Sequence, residues 1–440
     1  MSPKKKINII FIIQRTKKIG FKDIDHMLPF LYFLSKNEEY EYTAKGFIFG
    51  SETQQSKNID ARVKLLSNLK NIELVFTDKE NFLKKAMQFL TRDSNSKPVK
   101  LLNKVLNKII KQSSKSPNID IDWKTELGNE FINSNMPLIF VLHNDHITLE
   151  IVSKIKKQNK RAKCVLLPHG TTICDNQMVS ETDLDKTPIV KQHPLYKVID
   201  YSLKTSKRDK NDEVFNGFKD DRSIIIGSPR YCSEWIKIKS NLNLDGAEVR
   251  VNSNYNIKVL FLIPKKHINI FSEELIRTID FISSYEEIEL VLLNYNSHFP
   301  NMPDYIINKN NISQYLISEK YSTSKLIDWA DIIFHAGTGV IFESFMKEKI
   351  TVLPRYLSCN TLISDKYNAG FNLSNRDELR TLCNAAVASL NNLKNDYREK
   401  CELANKKFID DFVHANSLSV QQNITKTITY IINNFETLKQ

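Results

Sequence analysis

Short runs of apolar residues alternate with amphipathic stretches through the first half of the chain. The apolar runs predict strands, and the stretches Ile24–Leu34 and Ala61–Leu69 predict helices between them. The predicted strands are Ile7–Ile13, Gly46–Phe49, Ile72–Phe76, Leu138–Leu142, Cys164–Leu167, Lys197–Asp200 and Ser223–Ile226. Continuous apolar strands separated by helices are typical of parallel sheets covered on both faces, so the pattern predicts an α/β fold.

The alternation starts again after the polar stretch Asp245–Asn256, which is the best candidate for a linker. The second series is predicted to contain strands Lys258–Ile263, Glu289–Leu293, Tyr315–Ile317, Asp331–Phe334 and Ile350–Leu353, and helices Glu273–Ser283, Ser324–Trp329 and Gly339–Met346. The polar composition from Arg376 to Gln440 predicts outer helices. We therefore expect two Rossmann-like doubly wound domains, residues 1–250 and 256–440, facing each other across a cleft.

Charge and cysteine content narrow the classes of function. The 63 Lys and Arg residues exceed the 51 Asp and Glu residues, and the net charge of +12 favours anionic partners. No RNA-recognition signature is present, which argues against nucleic acid as a partner. No apolar run approaches the roughly 20 residues that span a bilayer. The six cysteines form no CxxC pair, so we expect a cytoplasmic protein with no metal site and no resident cofactor.

Residues Val99–Lys111 are predicted to form a basic amphipathic helix. Its polar face consists of Lys100, Lys104, Lys108 and Lys111 between regularly spaced apolar residues. It is either an ordinary surface helix or an element that rests on an anionic membrane surface, in which case the protein would be peripheral on the inner membrane.

The sharpest chemical signal lies in the second domain, where a predicted strand ends at Phe334. A tight turn and a helix start follow, and backbone N–H groups at such a position suit a phosphate. The residues predicted to hold phosphate or ribose are His335, Gly337, Thr338, Gly339 and Glu343, with Lys265 and Lys266 as further anion partners. An ordinary βα turn and a solvated basic loop remain the alternatives.

Three strand ends of the first domain bear titratable residues that we expect on one side of the sheet. Asp145 and Glu150 follow one strand, His169 follows the next, and Arg230 follows the last. His, Asp and Glu suit general acid–base catalysis, and Arg230 suits bidentate binding of a carboxylate. A histidine taken alone can equally be structural.

Two Rossmann-like halves with these turns resemble a GT-B glycosyltransferase. More narrowly, Pro168–Gly170, Gly227–Tyr231 and His335–Glu343 resemble the retaining β-Kdo (3-deoxy-D-manno-oct-2-ulosonic acid) transferases of bacterial O-antigen and capsule polysaccharide synthesis. The resemblance implies CMP-Kdo as the donor, a lipid-linked glycan as the acceptor, and metal-free transfer with retention of configuration. It also implies that CMP binds the second half and the acceptor the first.

Retention can proceed through a covalent glycosyl-enzyme on an Asp or Glu, and the resemblance implies this carboxylate directly after Tyr231. This sequence has Cys232 there. Three interpretations remain open. In the first, Cys232 is an engineered replacement for an Asp nucleophile, made to trap or block the reaction. In the second, it is a natural substitution in an inactive or altered enzyme. In the third, it is an ordinary small residue, and Glu234 or Asp145 is the nucleophile. The basic neighbour Arg230 would favour a reactive thiolate.

Other functions remain open as well. A polyol-phosphate transferase of the teichoic-acid type, with a CDP-linked donor, shares the Pro-His-Gly-Thr turn, and a nucleotide-sugar epimerase is a variant of this alternative. A non-catalytic module that binds sugar nucleotides or membrane surfaces is the third, motivated by the positive charge and by Val99–Lys111.

Overall fold

The chain divides into two compact units. The computed structural model describes residues 5–14, 24–37, 40–49, 61–77, 137–142, 146–170, 173, 194–242, 244, 249, 255–264, 270–294, 306, 308–316, 322–417 and 419–436. The first unit comprises Met1–His169 and Gln192–Leu203, and the second comprises Gly170–Lys191 and Lys204–Gln440.

The first seven strands form one sheet. They are β1 (Lys5–Gln14), β2 (Tyr40–Phe49), β3 (Ile72–Thr77), β4 (Pro137–Val141), β5 (Lys163–Leu166), β6 (Tyr201–Lys204) and β7 (Ser223–Ile225). Their order is β3-β2-β1-β4-β5-β6-β7, and the pairings from β3 to β6 are parallel. Along the chain, helices α1 (Ile24–Ser35), α2 (Ala61–Asn68) and α3 (His146–Gln158) alternate with these strands. Ile10, Phe11 and Ile13 are fully buried, as expected for an interior strand covered on both faces.

The next six strands form a second, all-parallel sheet. They are β8 (Ile257–Leu262), β9 (Ile288–Asn294), β10 (Ile312–Leu316), β11 (Ile332–His335), β12 (Ile350–Pro354) and β13 (Phe371–Leu373), in the order β10-β9-β8-β11-β12-β13. One face packs Phe334 with Leu275 and Ile279, and the other packs Ile333 with Leu326. The predicted α/β architecture is therefore confirmed in both halves.

Nine further helices belong to the described part of the second unit. They are α4 (Lys207–Phe215), α5 (Ser233–Asn241), α6 (Ser272–Ile282), α7 (Thr323–Trp329), α8 (Ile341–Met346), α9 (Ile363–Lys366), α10 (Arg376–Ala388), α11 (Leu390–Ile409) and α12 (Val420–Glu436). A π-helical turn, Asp410–His414, follows α11, and the left-handed Ala415 and Asn416, both with φ 53°, end it. The helical C-terminal region is as predicted.

Several predicted elements are shifted: β2 begins at Tyr40 and not at Gly46, β10 begins at Ile312 and not at Tyr315, and two further differences follow. The strand expected at Lys197–Asp200 is a 3₁₀ turn, Pro194–Lys197, followed by β6. Asp200 lies between this turn and β6. Its carboxylate accepts a hydrogen bond from the backbone N–H of Cys164 at 2.8 Å and pairs with Lys156 at 2.7 Å. The helix expected from Gly339 begins only at Ile341, since the preceding residues form the turn itself.

The boundary expected at residues 250–256 falls between the last residue of the first sheet, Ile225, and the first of the second, Ile257. The compact units divide differently, because β7, α4 and α5 group with the second unit. The predicted helix Val99–Lys111 lies outside the described residues. Within the described part of the chain, no helix has the length and apolar character needed to cross a membrane.

Candidate functional site

A polar cavity of about 380 Å³ lies at the carboxyl ends of three adjacent strands of the second sheet. Ala336 follows β11, Leu353 and Arg355 mark the end of β12, and Ser374 follows β13. The remaining lining residues are Pro354, Tyr356, Ser358, Cys359, Asn360, Thr361, Leu362 and Asp365. Arg355 pairs with Asp365 across 3.3 Å. This is the edge at which open parallel α/β sheets bind ligands.

The turn predicted to hold phosphate joins β11 to α8 beside this cavity. Gly337 is buried and has φ 105°, a left-handed conformation that favours glycine. A side chain at Gly339 would make an ordinary contact with Ile173, at 3.6 Å, and the carbonyl of Ile173 accepts a hydrogen bond from the backbone N–H of Ile363 at 2.8 Å. Ile173, three residues after the predicted Pro-His-Gly turn, therefore packs against this loop within the second unit.

His335 ends β11 with a fully buried ring. Neither ring nitrogen has a hydrogen-bond partner among the described residues. Burial lowers the pKa of His335 to about 3, because desolvation penalises the imidazolium. The ring is therefore neutral and retains one donor and one acceptor for a ligand or water.

Glu343 lies in the first turn of α8 and is 4% exposed. Its carboxylate is 2.9 Å from the Lys239 ammonium and 3.1 Å from that of Lys347, and it accepts a hydrogen bond from Ser324. Burial alone would raise the pKa of Glu343, but the two ammonium groups outweigh it and lower the pKa to about 2. In this conformation the carboxylate is ionised and bound by protein groups, so its predicted contact with a ribose would require exchange of partners.

The Gly227–Tyr231 string packs against the C-terminal helices of the same unit. Ser228 donates its backbone N–H to the carbonyl of Val413 at 2.7 Å. The Tyr231 ring lies 5.7 Å from the ring of Phe342, which precedes Glu343. Two motifs assigned to different domains by sequence are therefore in contact within one unit.

Cys232 caps α5 and is fully buried. Its thiol lies 3.5 Å from the carbonyl oxygen of Pro229. Burial raises the pKa of the Cys232 thiol well above its usual range, and the nearby Glu234 carboxylate raises it further. The Arg230 guanidinium, which we expected to favour a thiolate at Cys232, stacks on the Tyr231 ring at 5.0 Å. The thiol is protonated in this conformation.

Glu234 accepts hydrogen bonds at the start of α12. Its carboxylate accepts hydrogen bonds from the Ser419 hydroxyl at 2.9 Å and from the Val420 backbone N–H at 3.1 Å. Burial raises the pKa of Glu234, but hydrogen bonds from backbone groups and Ser419 produce a net lowering. A carboxylate from a distant helix thus provides an acceptor for a backbone N–H group at the N-terminus of α12.

The candidate residues of the first unit are partly described. His169 is exposed and its ring stacks on that of His26, with centroids 4.5 Å apart and an interplanar angle of 21°. Glu150 pairs with Lys154 at 2.8 Å on the surface of α3. Asp145 lies outside the described residues, as do Lys265 and Lys266 of the second unit, so their roles stay predictions. Within the ranges that are described, no group of three His, Cys, Asp or Glu residues could hold a metal ion.

Sequence analysis missed Lys239, Ser324 and His26. Lys347 follows Glu343 by one helical turn, and this i, i+4 spacing could have indicated their pairing. No sequence signal relates Lys239 to Glu343, which are separated by 104 positions.

No protein-family model and no curated protein sequence matches this chain. Solved structures do match in fold. Anabaena HepE in complex with UDP-glucose is 12% identical, with 96% of this chain and 100% of that chain covered and a TM-score of 0.50. UDP-GlcNAc 2-epimerase from Methanocaldococcus jannaschii has the same identity, coverages and TM-score. The chain therefore has an α/β fold of the GT-B type, with two Rossmann-like parallel-sheet domains and C-terminal helices.

Proposed function

We propose that this protein is a glycosyltransferase that binds a nucleotide sugar at the carboxyl edge of its second sheet. The observation that supports this most directly is the polar cavity at the ends of β11, β12 and β13, beside the Gly337–Gly339 turn. Arg355, whose side chain is half exposed, offers the cavity a cation, and the glycine-rich turn beside it suits the close approach of a phosphate. Concave sites with a few convergent polar groups are typical of small-molecule binding.

We further propose CMP-Kdo as the donor and a lipid-linked glycan as the acceptor. The support is the motif resemblance in Pro168–Gly170, Gly227–Tyr231 and His335–Glu343. The net charge of +12 also suits a donor that has both a phosphate and a sugar carboxylate. On this proposal the protein works at the cytoplasmic membrane surface, and Val99–Lys111 and the lysines Lys265 and Lys266 remain predicted anion contacts.

Transfer with retention can proceed by two displacements. The side chain at position 232, after losing its proton to a base, forms a bond to the anomeric carbon of Kdo, and CMP leaves with the electron pair of the broken bond. The acceptor hydroxyl then attacks the same carbon, loses its proton to a base and displaces the residue at 232. His169, Asp145 and Glu150 are the proposed acid–base groups, and Arg230 the proposed carboxylate partner. A buried, protonated thiol is a poor nucleophile, so we expect slow transfer by this chain.

Nucleotide-dependent thermal unfolding tests the proposal. A ligand that binds only the folded state at 100 times its Kd stabilises it by about 2.7 kcal/mol. We expect CMP to raise Tm, with UDP and GDP having little effect. Arg355→Ala should reduce the CMP effect, whereas Arg398→Ala, a matched change on an exposed side chain of α11, should preserve it. No stabilisation by any nucleotide would refute nucleotide-sugar binding.

A second candidate is an enzyme acting on a UDP-sugar, such as a UDP-GlcNAc 2-epimerase. The observation in its favour is that HepE and the Methanocaldococcus enzyme, which share the fold, are described with UDP-glucose or as a UDP-GlcNAc 2-epimerase. Stabilisation by UDP but not by CMP would select this candidate. Conversion of UDP-GlcNAc, followed by NMR, would then establish it.

A further inference from the structure

The buried Glu343 carboxylate joins three helices. Glu343 itself lies on α8 and Lys347 directly follows that helix, while Ser324 comes from α7 and Lys239 reaches the carboxylate from α5. The Lys239 ammonium also lies 3.0 Å from the Ser324 hydroxyl, so it contacts both other helices at one point.

Lys239 lies about two helical turns after Cys232 and therefore on the same side of α5. Trp235, which is 2% exposed, lies between them along that side. At the start of this helix, the ring of Tyr231 contacts Phe342, next to Glu343 in sequence. The side of α5 that includes position 232 is thus anchored to α8 at both ends.

Loss of the Lys239 ammonium would leave the rest of the cluster satisfied. Glu343 would keep Lys347 and Ser324, and Lys347 has a second carboxylate, Asp328, at 2.8 Å. A variant at Lys239 should therefore fold while lacking the one recorded ion pair between α5 and α8 among the described residues.

We propose that Lys239 is a positioning residue, which binds Glu343 and thereby holds α5 so that residue 232 keeps a fixed place relative to α8. A catalytic role for residue 232 rests on the proposed function. The positioning of residue 232 by the Lys239–Glu343 ion pair does not depend on which donor the protein binds.

Alkylation of the native protein by iodoacetamide, mapped by peptide mass spectrometry, tests the structural content without any substrate. In Lys239→Met we expect the rate at Cys232 to rise about 10-fold, because local opening of α5 exposes the thiol. Lys239→Arg should restore protection. Lys237→Met, an equal change at an exposed position of the same helix, should leave the rate unchanged.

The buried Cys383 and Cys401 of the same unit are internal controls. If Lys239→Met raises their rates as much as that of Cys232, the ion pair serves global stability and the proposal is wrong. An unchanged rate at Cys232 would overturn it too.

Kinetics in a Cys232→Asp background separate positioning from donor binding. We expect Lys239→Met to lower kcat about 10-fold, with the KM for CMP-Kdo changing less than about 3-fold. A KM that rises by about the same factor as kcat falls, together with a lower Tm, would contradict a positioning role. If no turnover is detected although alkylation behaves as expected, the proposed function fails and the positioning of residue 232 stands.

Discussion

The backbone of Gly227 lies directly against the carbonyl oxygen of Val413, and a Cβ atom at residue 227 would be only 2.6 Å from that oxygen. The same Cβ would be 2.9 Å from the Val420 side chain, and φ at Gly227 is 86°. This contact joins the Gly227–Tyr231 string to the π-helical turn that precedes α12. The glycine is therefore required by both space and conformation.

Gly227→Ala should destabilise the protein by about 2 kcal/mol or more, because a left-handed conformation alone costs about 1–2 kcal/mol and the clash adds to it. Denaturant unfolding measures the change. Gly170→Ala is the matched control, since no atom of the described residues lies within 4 Å of its added Cβ, and it should be nearly neutral. Equal unfolding midpoints for the two variants would contradict the packing described here.

The strands were predictable from sequence because burial on both faces leaves continuous apolar runs, as in β8 and β11. The tight turn at Gly337 was predictable from its glycines. What the sequence could not show is which polar groups meet. Glu343 resembles a ligand-binding carboxylate in its motif, but Lys239 on a distant helix occupies it. Glu234 resembles a candidate nucleophile, yet it caps α12, which starts 186 positions later. Such pairings arise from tertiary packing and leave no local pattern.

Glu289 on β9 makes stability depend on pH. Its side chain is 3% exposed and its Oε2 atom has no hydrogen-bond partner among the described residues. Burial raises the pKa of Glu289 to about 7, although Lys258 on the adjacent strand partly opposes this. The folded state thus binds the proton more tightly than the unfolded state, so this contribution to stability is present below the ordinary carboxyl pKa and is lost as pH rises towards 7.

Glu289→Gln should remove that dependence. Between pH 5 and pH 8 we expect the variant to lose less stability than the parent, by an amount on the order of 2 kcal/mol. Thermal unfolding across this pH range provides the measurement. Glu287→Gln, at an exposed position two residues earlier, should follow the parent curve. Parallel curves for the parent and Glu289→Gln would show that the carboxyl is solvated.

Glu343 makes stability depend on pH in the opposite direction. Its pKa of about 2 lies below the ordinary value, so its stabilisation is present above the unfolded pKa and is lost as pH falls through the folded value. Glu343→Gln leaves two lysines beside a neutral amide, and we expect a loss of about 2–3 kcal/mol at neutral pH that shrinks towards pH 3.

Acid titration of unfolding checks this sign. Asp396→Asn removes a carboxylate from an i, i+4 pair with Lys400 on α11, where the lysine is 63% exposed. We expect this control substitution to lower the free energy of unfolding by less than about 0.5 kcal/mol. A Glu343→Gln effect as small as the control would mean that the cluster is solvated and contributes little.

Cys232→Asp is the change that bears most directly on the chemistry. Burial and the Glu234 carboxylate keep the thiol protonated. They would also raise the pKa of an Asp at this position, but a carboxylic acid starts from a pKa of about 3.9 and so keeps a larger ionised fraction at neutral pH than the thiol. We expect Cys232→Asp to increase Kdo transfer at least about 10-fold, since a factor of 10 in rate needs only about 1.4 kcal/mol of barrier.

Intact mass spectrometry after incubation with CMP-Kdo should show a gain of one Kdo residue, located by peptide mapping within residues 230–235. Cys232→Ser, which is similar in size and has no ionised form near neutral pH, should show neither the adduct nor the increase. If the parent chain and Cys232→Asp transfer Kdo at equal rates, position 232 is not the nucleophile. The acid–base candidates of the first unit would then be the next residues to test.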